Sequence, residues 1–152
     1  MRIFFAISLE GLDKYSFAGS SAHAVTDELR RAFPDEEDEE LDMIALLAAA
    51  DDNIRQVKNE PFRLVVAADA HVDTIGTAED PSLVQPTDAI VWSDVAAIFT
   101  DEETAADDVL AARRGNDEAF DRLAGQDMLW YDPTERLRLA ADLRGRMNRQ
   151  YR

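Results

Sequence analysis

One stripe of apolar residues restricts the possible folds of this chain more than any other feature of its sequence. Its members are spaced by four, three, four and three positions: Met43, Leu47, Ala50, Ile54 and Val57. That spacing places all five on one face of an α-helix. Because Pro61 closes the segment, the pattern predicts a helix to about Asn59 whose apolar face packs against a core.

Short apolar runs on both sides of this helix have the length and composition of β-strands. Residues 2–8 and 62–68 are rich in β-branched and aromatic residues with little polar interruption, which predicts two buried strands. Residues 89–92, 95–99 and 128–131 are shorter runs of the same kind. Glu10 follows the first run closely, so that run predicts neither a signal peptide nor a membrane span, and we expect a cytoplasmic protein.

Local capping signals mark the remaining helices. Thr26 precedes an acidic first turn, and Asn116 follows a glycine that suits the end of a helix. Asp132 is followed by proline and, three positions on, by glutamate, which predicts the start of a last helix. Thr100, with glutamate three positions later, predicts a capping box that opens a helix to Arg114.

The order of these elements indicates an α+β fold. We expect a small sheet of about four strands covered on one face by helices, in a β-α-β-β-α-β split (ferredoxin-like) order with an added C-terminal helix. Residues 1–143 are expected to form one domain, and the Arg-rich residues 144–152 to be a frayed helix end. Residues 70–88 contain Gly76, Pro81 and Pro86, which predicts a mobile surface loop.

The charge of the chain excludes one class of function. The formal net charge is −16, so the field of the molecule repels polyanions and no direct binding to nucleic acid is expected. Residues 132–152 differ, with six arginines against three acids. The acidic runs at 35–40 and 101–103 lack the alternation and central glycine of a calcium loop, and we interpret them as solvated helix starts.

Motifs for catalysis and cofactors are absent from the sequence. With no cysteine and only two histidines at unrelated positions, a zinc site of the usual kind is not expected. No glycine-rich phosphate loop and no serine-nucleophile signature occurs, so no cofactor is evident. One of the histidines, His23, has no obvious partner in the sequence.

Three residues near strand ends are the candidates for chemistry. Asp69 ends a predicted strand, His71 follows two positions later, and Asp94 lies between two strand runs. Carboxylates at strand ends, with a histidine nearby, can act as a base or bind a metal. The alternative is that Asp69 and Asp94 are turn residues and His71 is an exposed loop residue.

A second candidate site is aromatic. Trp130 and Tyr131 directly precede the last helix, where they would line a ligand pocket or anchor a protein partner. Both side chains would equally suit the core, with their polar tips hydrogen-bonded. The basic last helix is a candidate for self-association or for docking on the acidic surface at 35–42.

Several short motifs connect the chain with a known group of proteins. They include the starting Met-Arg-Ile-Phe-Phe, the Val-Val-Ala-Ala-Asp strand that ends at Asp69, and the Leu-Trp-Tyr that precedes the last helix. In these motifs the chain resembles a family of uncharacterised actinobacterial proteins of unknown function. Asp27 stands where that family usually has proline after Thr26. The resemblance implies a bacterial cytoplasmic protein and no activity.

These observations lead to three hypotheses of function. Because no catalytic constellation is present, the leading one is a small acidic module for binding or protein interaction that is not an enzyme. The alternative is a small enzyme or metal-dependent protein that uses Asp69, His71 and Asp94. The third is a mimic of nucleic acid, whose acidic side chains imitate phosphates toward a basic protein.

Overall fold

The computed structural model describes residues 1–151, and an antiparallel sheet of seven strands lies at its centre. The strands are β1 (Arg2–Ala6), β2 (Ser16–Phe17), β3 (Ala22–Ala24), β4 (Leu64–Asp69), β5 (Val72–Thr74), β6 (Leu83–Pro86), β7 (Ile90–Val91), β8 (Val95–Thr100) and β9 (Leu129–Tyr131). The helices are α1 (Asp27–Ala32), α2 (Asp38–Gln56), α3 (Ala106–Arg113), α4 (Asp117–Ala124) and α5 (Arg136–Gln150). Short 3-10 turns begin at Leu9, Trp92, Glu103 and Pro133. The α+β class predicted from the sequence is confirmed.

The strand order differs from the predicted one. The large sheet has the order β5-β6-β3-β1-β4-β8-β9, and β2 and β7 form a separate pair. All neighbouring strands run antiparallel. The four-strand ferredoxin-like order is therefore not confirmed, because β1, β4, β8 and β9 lie side by side in chain order instead of being joined by parallel crossovers.

Both faces of the sheet are covered, whereas one covered face was predicted. On one face Phe4, Val65 and Ala67 pack against α2. On the other face the sheet packs against α5, which contributes Leu139, Ala140 and Leu143 to the largest core cluster. Burial on both faces explains why β4 is apolar at successive positions rather than at alternate ones.

The buried face of α2 coincides only in part with the predicted stripe. Ala50 and Ile54 of that stripe are buried, whereas Met43 is 49% exposed. Other residues of the buried face lie outside the stripe: Leu41, Ala45, Leu46 and Ala49. The helix also ends at Gln56 rather than near Asn59. The alanines of α2 pack against the sheet, and their small side chains let the helix lie close to it. Met43 lies on the outer face of the helix, where its larger side chain is accommodated.

Three of the four predicted caps are confirmed. The Thr26 hydroxyl accepts from the Leu29 amide at 3.0 Å, and the Asn116 side chain accepts from the Ala119 amide at 2.8 Å. Asp132 caps the 3-10 turn that leads into α5, where its carboxylate accepts from the Thr134 amide at 2.9 Å. The prediction at Thr100 is wrong, because this residue lies in β8 and donates to the Arg63 carbonyl at 2.7 Å.

Residues 70–88 are not the loop that their prolines predict. They contain the hairpin β5–β6, which extends the sheet beyond β3. Gly76 allows the chain to turn back from β5 to β6, since a Cβ at this position would lie 2.5 Å from the Pro81 carbonyl oxygen. Pro86 is the last residue of β6 and pairs with Val72, a position where a strand tolerates the loss of an N–H donor.

The acidic run at 101–103 is only partly solvated. Glu102 and Glu103 are exposed, but Asp101 and Arg63 are each 1% exposed and form a buried ion pair at 2.7 Å. The run at 35–40 is exposed throughout and leads into α2, as predicted. Within residues 1–151, no helix combines the length and apolar character needed to cross a membrane.

Candidate functional site

The structure brings the three strand-end candidates together. Asp69 ends β4, His71 lies in the turn to β5, and Asp94 lies in the 3-10 turn between β7 and β8. All three line one open cavity of about 300 Å³, together with Asp88. The sequence pattern therefore located a common depression, although the role of these residues stays a prediction.

The polar groups of this cavity make local bonds. Asp69 Oδ1 accepts from Arg2 Nε at 3.0 Å, and this bond holds the pKa of the Asp69 carboxyl below its ordinary value. Asp94 Oδ2 accepts from the Val91 amide at 3.2 Å and so caps the 3-10 turn. The part of the chain that the structure describes holds no group of three or more His, Asp and Glu side chains placed to bind a metal ion.

A buried polar chain centred on His23 escaped the sequence reasoning. His23 Nε2 lies 2.7 Å from Asp52 Oδ2, and Nδ1 lies 2.7 Å from the Ser82 hydroxyl. Both ring nitrogens of His23 therefore have a polar partner within hydrogen-bond distance. The three residues come from β3, α2 and the turn before β6, so no local motif signals them.

The arrangement resembles the serine–histidine–aspartate chain of hydrolases, but Ser82 is only 3% exposed. A nucleophile must reach a substrate, and this hydroxyl is closed off from solvent. The contacts instead fix the turn before β6 to the sheet and to α2. The Thr26 hydroxyl adds to this anchoring by donating to the Pro81 carbonyl. We therefore interpret the His23 chain as structural.

The last strand of the sheet, β9, has a free edge. On its inner side it pairs with β8 through the registers Phe99–Trp130 and Ile98–Tyr131. Within residues 1–151 no strand pairs with its outer side. An unpaired edge presents backbone donors and acceptors to any extended chain that approaches it.

The two aromatic residues of β9 separate in the structure. Tyr131 packs against the largest core cluster, on the face covered by α5. Trp130 points to the opposite face and is 59% exposed. From the sequence, either residue could lie in the core or on the surface. Neighbouring residues of a strand point to opposite faces of the sheet, but the alternation does not show which face is covered.

An acidic cleft lies at the beginning of β9. Its volume is about 360 Å³. The residues that line this acidic cleft are Glu102, Thr104, Gln126, Asp127, Met128 and Leu129. Glu102 belongs to the segment after β8, and the other end of the cleft belongs to the segment between α4 and β9. The cleft therefore forms because β8 and β9 are neighbours in the sheet.

The opposite edge of the sheet differs from β9. There β5 has the sequence Val-Asp-Thr, with Asp73 and Thr74 exposed. A charged residue on a short strand discourages another strand from pairing there. Only β9 combines a free edge with an exposed tryptophan among the described strands.

Helix α5 uses its arginines within the chain. Arg149 pairs with Glu103 at 2.9 Å, and Arg144 pairs with Asp13. Arg146 donates to the Asp101 carbonyl at 2.5 Å, and Arg136 lies over the Trp92 ring. The basic helix thus docks on its own domain, at acids other than those of residues 35–42.

Comparison with protein families gives one match. The model of a family of unknown function (DUF6912) matches residues 1–140. The chain belongs to this family. The match spans the whole sheet, including β9 and the acidic cleft, and it agrees with the resemblance seen in the sequence; the actinobacterial source stays a prediction. No curated protein and no solved structure matches the chain.

Proposed function

We propose that this member of DUF6912 is a protein-interaction module that binds an extended segment of another protein along the outer edge of β9. The exposed Trp130 on the free edge carries the proposal. Strand addition supplies backbone hydrogen bonds, while side chains next to the edge supply selectivity. Tryptophan is among the residues that contribute most to binding energy at protein interfaces.

The contacts of α5 also favour β9 as the docking surface. The apolar side of α5 is buried in the core through Leu139 and Leu143, and several of its arginines bond to its own domain. A partner at α5 would have to replace these contacts. A partner at β9 would instead meet an unpaired strand edge and an exposed Trp130.

A peptide selection tests the proposal. A random-peptide library is selected on the wild-type chain, and the enriched peptides are then measured on Trp130→Ser. We expect their dissociation constants to rise at least about tenfold, because truncation of a central tryptophan is costly. Tyr15→Ser is the matched control, since Tyr15 is 90% exposed and lies elsewhere on the fold.

Amide chemical shifts then locate the binding site. The proposal requires that the enriched peptides perturb residues 129–131 and leave the β5 edge unchanged. It fails if the peptides bind Trp130→Ser as tightly as the wild type, or if their shifts map to another surface. Selection without any enriched peptide also counts against an edge that binds extended chains.

The strand-end cavity supports a second candidate function. It brings Asp69, His71 and Asp94 around one depression, which suits a small ligand or an enzymatic site. A thermal-shift screen with divalent metals, nucleotides and metabolites tests it. A ligand at about a hundred times its dissociation constant raises the free energy of unfolding by about 2.7 kcal/mol. A stabilising ligand whose effect survives Asp69→Asn and Asp94→Asn does not bind in this cavity.

A further inference from the structure

We infer that residues 146–151, at the end of α5, form a strap that opens about Gly145 while the rest of the domain stays folded, and that this opening admits water to the buried ion pair between Arg63 and Asp101. The contacts of the strap lie where β4 begins and β8 ends. The device is therefore independent of the outer edge of β9 and goes beyond the proposed function.

Two neighbouring connections of the chain carry the buried ion pair. Arg63 belongs to the connection from α2 to β4, and Asp101 belongs to the connection from β8 to α3. These connections lie side by side, because Leu64 at the start of β4 pairs with Thr100 at the end of β8. In the interior, the ion pair joins the two connections at 2.7 Å.

The strap is bound to both of these connections. Three of its side chains donate hydrogen bonds there: Arg146 to the Asp101 carbonyl at 2.5 Å, Arg149 to the Glu103 carboxylate at 2.9 Å, and Tyr151 to the Asn59 carbonyl. The first of these bonds is partly buried and the other two are exposed. The strap therefore ties together, near the surface, the same two connections that the ion pair joins in the interior.

Few contacts hold the strap in place. Leu143 is the last buried residue of the described chain, and beyond it Met147 packs only in part against the largest core cluster. Most of the stability of a helix within a protein comes from packing of its apolar face. A segment with little buried apolar surface and exposed hydrogen bonds opens at a lower free energy than the whole domain. The strap has both properties.

Gly145 provides a hinge between the buried part of α5 and the strap. Glycine within a helix is less favourable than alanine, because its backbone loses more conformational freedom. Packing does not require glycine here, since a Cβ would lie 3.4 Å from Arg149 Nη1, the movable end of a side chain. The helix is thus most easily interrupted at a position where the fold has room for alanine.

Native-state hydrogen exchange of the full chain in low concentrations of urea tests the inference. The Arg63 amide donates to Asp101 Oδ2 at 2.8 Å, so its exchange reports when water reaches the ion pair. The amides of residues 147–150 report opening of the strap, and those of the central strand β1 report global unfolding. We expect Arg63 and the strap to share one opening free energy that is lower and less urea-dependent than that of β1.

Two substitutions shift this opening in opposite directions. Gly145→Ala is expected to slow exchange at Arg63 and in the strap about fivefold, because alanine stabilises the helix. Arg146→Met is expected to accelerate both at least about fivefold, because it removes a charged donor and keeps a long apolar stem. Gly145→Ala is stabilising, so it keeps the test valid even if Arg146→Met fails to fold.

Arg144→Met is the matched control. Arg144 lies on the same helix but before the hinge, and it pairs with Asp13 in the 3-10 turn after β1. That pair persists when the strap opens, so the exchange of Arg63 and of the strap is expected to change less than about twofold. Equal effects of Arg144→Met and Arg146→Met would overturn the inference, because the change would then reflect the charge of α5 alone.

The behaviour of the Arg63 amide decides the remaining outcomes. If it exchanges with the free energy and urea dependence of β1, water reaches the ion pair only on global unfolding, and the inference is wrong. The inference also fails if Gly145→Ala slows exchange in the strap and leaves Arg63 unchanged, because the strap then opens without exposing the pair.

Discussion

The buried ion pair between Arg63 and Asp101 yields a quantitative prediction of stability. Both residues are 1% exposed. Arg63 Nη2 donates to Asp101 Oδ1 at 2.7 Å, Nε donates to Oδ2 at 3.0 Å, and the Arg63 amide donates to Oδ2 at 2.8 Å. Asp101→Ala removes both carboxylate oxygens, and with them all three hydrogen bonds, and leaves the guanidinium charge without its counter-ion in the interior. Loss of one partner of such a pair costs about 3–5 kcal/mol, out of a total stability of about 5–15 kcal/mol.

Urea unfolding followed by circular dichroism measures this loss. We expect the midpoint of Asp101→Ala to fall sharply with an unchanged m-value. The double variant Arg63→Met with Asp101→Asn should be more stable than Asp101→Ala, because no charge is left buried and asparagine still accepts from the backbone amide. Asp108→Asn, which breaks an exposed pair with Arg122, should lose less than Asp101→Ala.

A small effect would refute the reasoning. If Asp101→Ala loses less than about 1 kcal/mol at an unchanged m-value, water reaches the guanidinium and the pair does not behave as buried. If the double variant is the least stable of the set, the pair contributes net stability beyond the cost of an unpaired charge.

Three further predictions follow from polar groups in other parts of the fold. Asn53→Ala should lower the free energy of unfolding by about 1–3 kcal/mol in urea, because the fully buried Asn53 amide donates to two carbonyls at the ends of β1 and β4. His23→Ala should cost about 1–3 kcal/mol and increase hydrogen exchange in the β5–β6 hairpin, because Ser82 loses its buried partner. Arg2→Met should raise the pKa of Asp69 toward its ordinary value, which an NMR titration measures. With Arg2 present that pKa is lowered, so the pair stabilises the fold above the unfolded-state pKa, and its contribution disappears as the pH falls through the folded-state pKa.

Signals that act over a few residues were read correctly from the sequence. The caps at Thr26, Asn116 and Asp132 satisfy amides within the next three residues, so the sequence alone contains both donor and acceptor. The apolar runs around β1, β4, β8 and β9 were also located. The cap predicted at Thr100 was wrong because its partner is distant in sequence. Thr100 lies in β8, and its hydroxyl donates to the carbonyl of Arg63.

Strand order and burial depend on distant partners. The position of β4 between β1 and β8 follows from packing that no local pattern encodes. Pro81 and Pro86 suggested a loop, yet Pro81 lies in the turn before β6 and Pro86 is the last residue of that strand, where the missing N–H is tolerated. The His23 chain joins three elements, so the residue looked unpartnered in the sequence although both of its ring nitrogens are occupied.

The candidate interaction site depends on the same long-range order. A strand of three residues is too short for a recognisable alternation, so the sequence does not show that Tyr131 faces the core and Trp130 the opposite side. The free edge of β9 is likewise visible only in the order of the strands. Glu102 and Asp127 border one cleft because β8 and β9 pair, since each carboxylate stands next to an end of one of these strands. In the sequence, Glu102 belongs to an acidic helix start and Asp127 to a turn. Only the sheet places these two carboxylates together beside the open edge of β9.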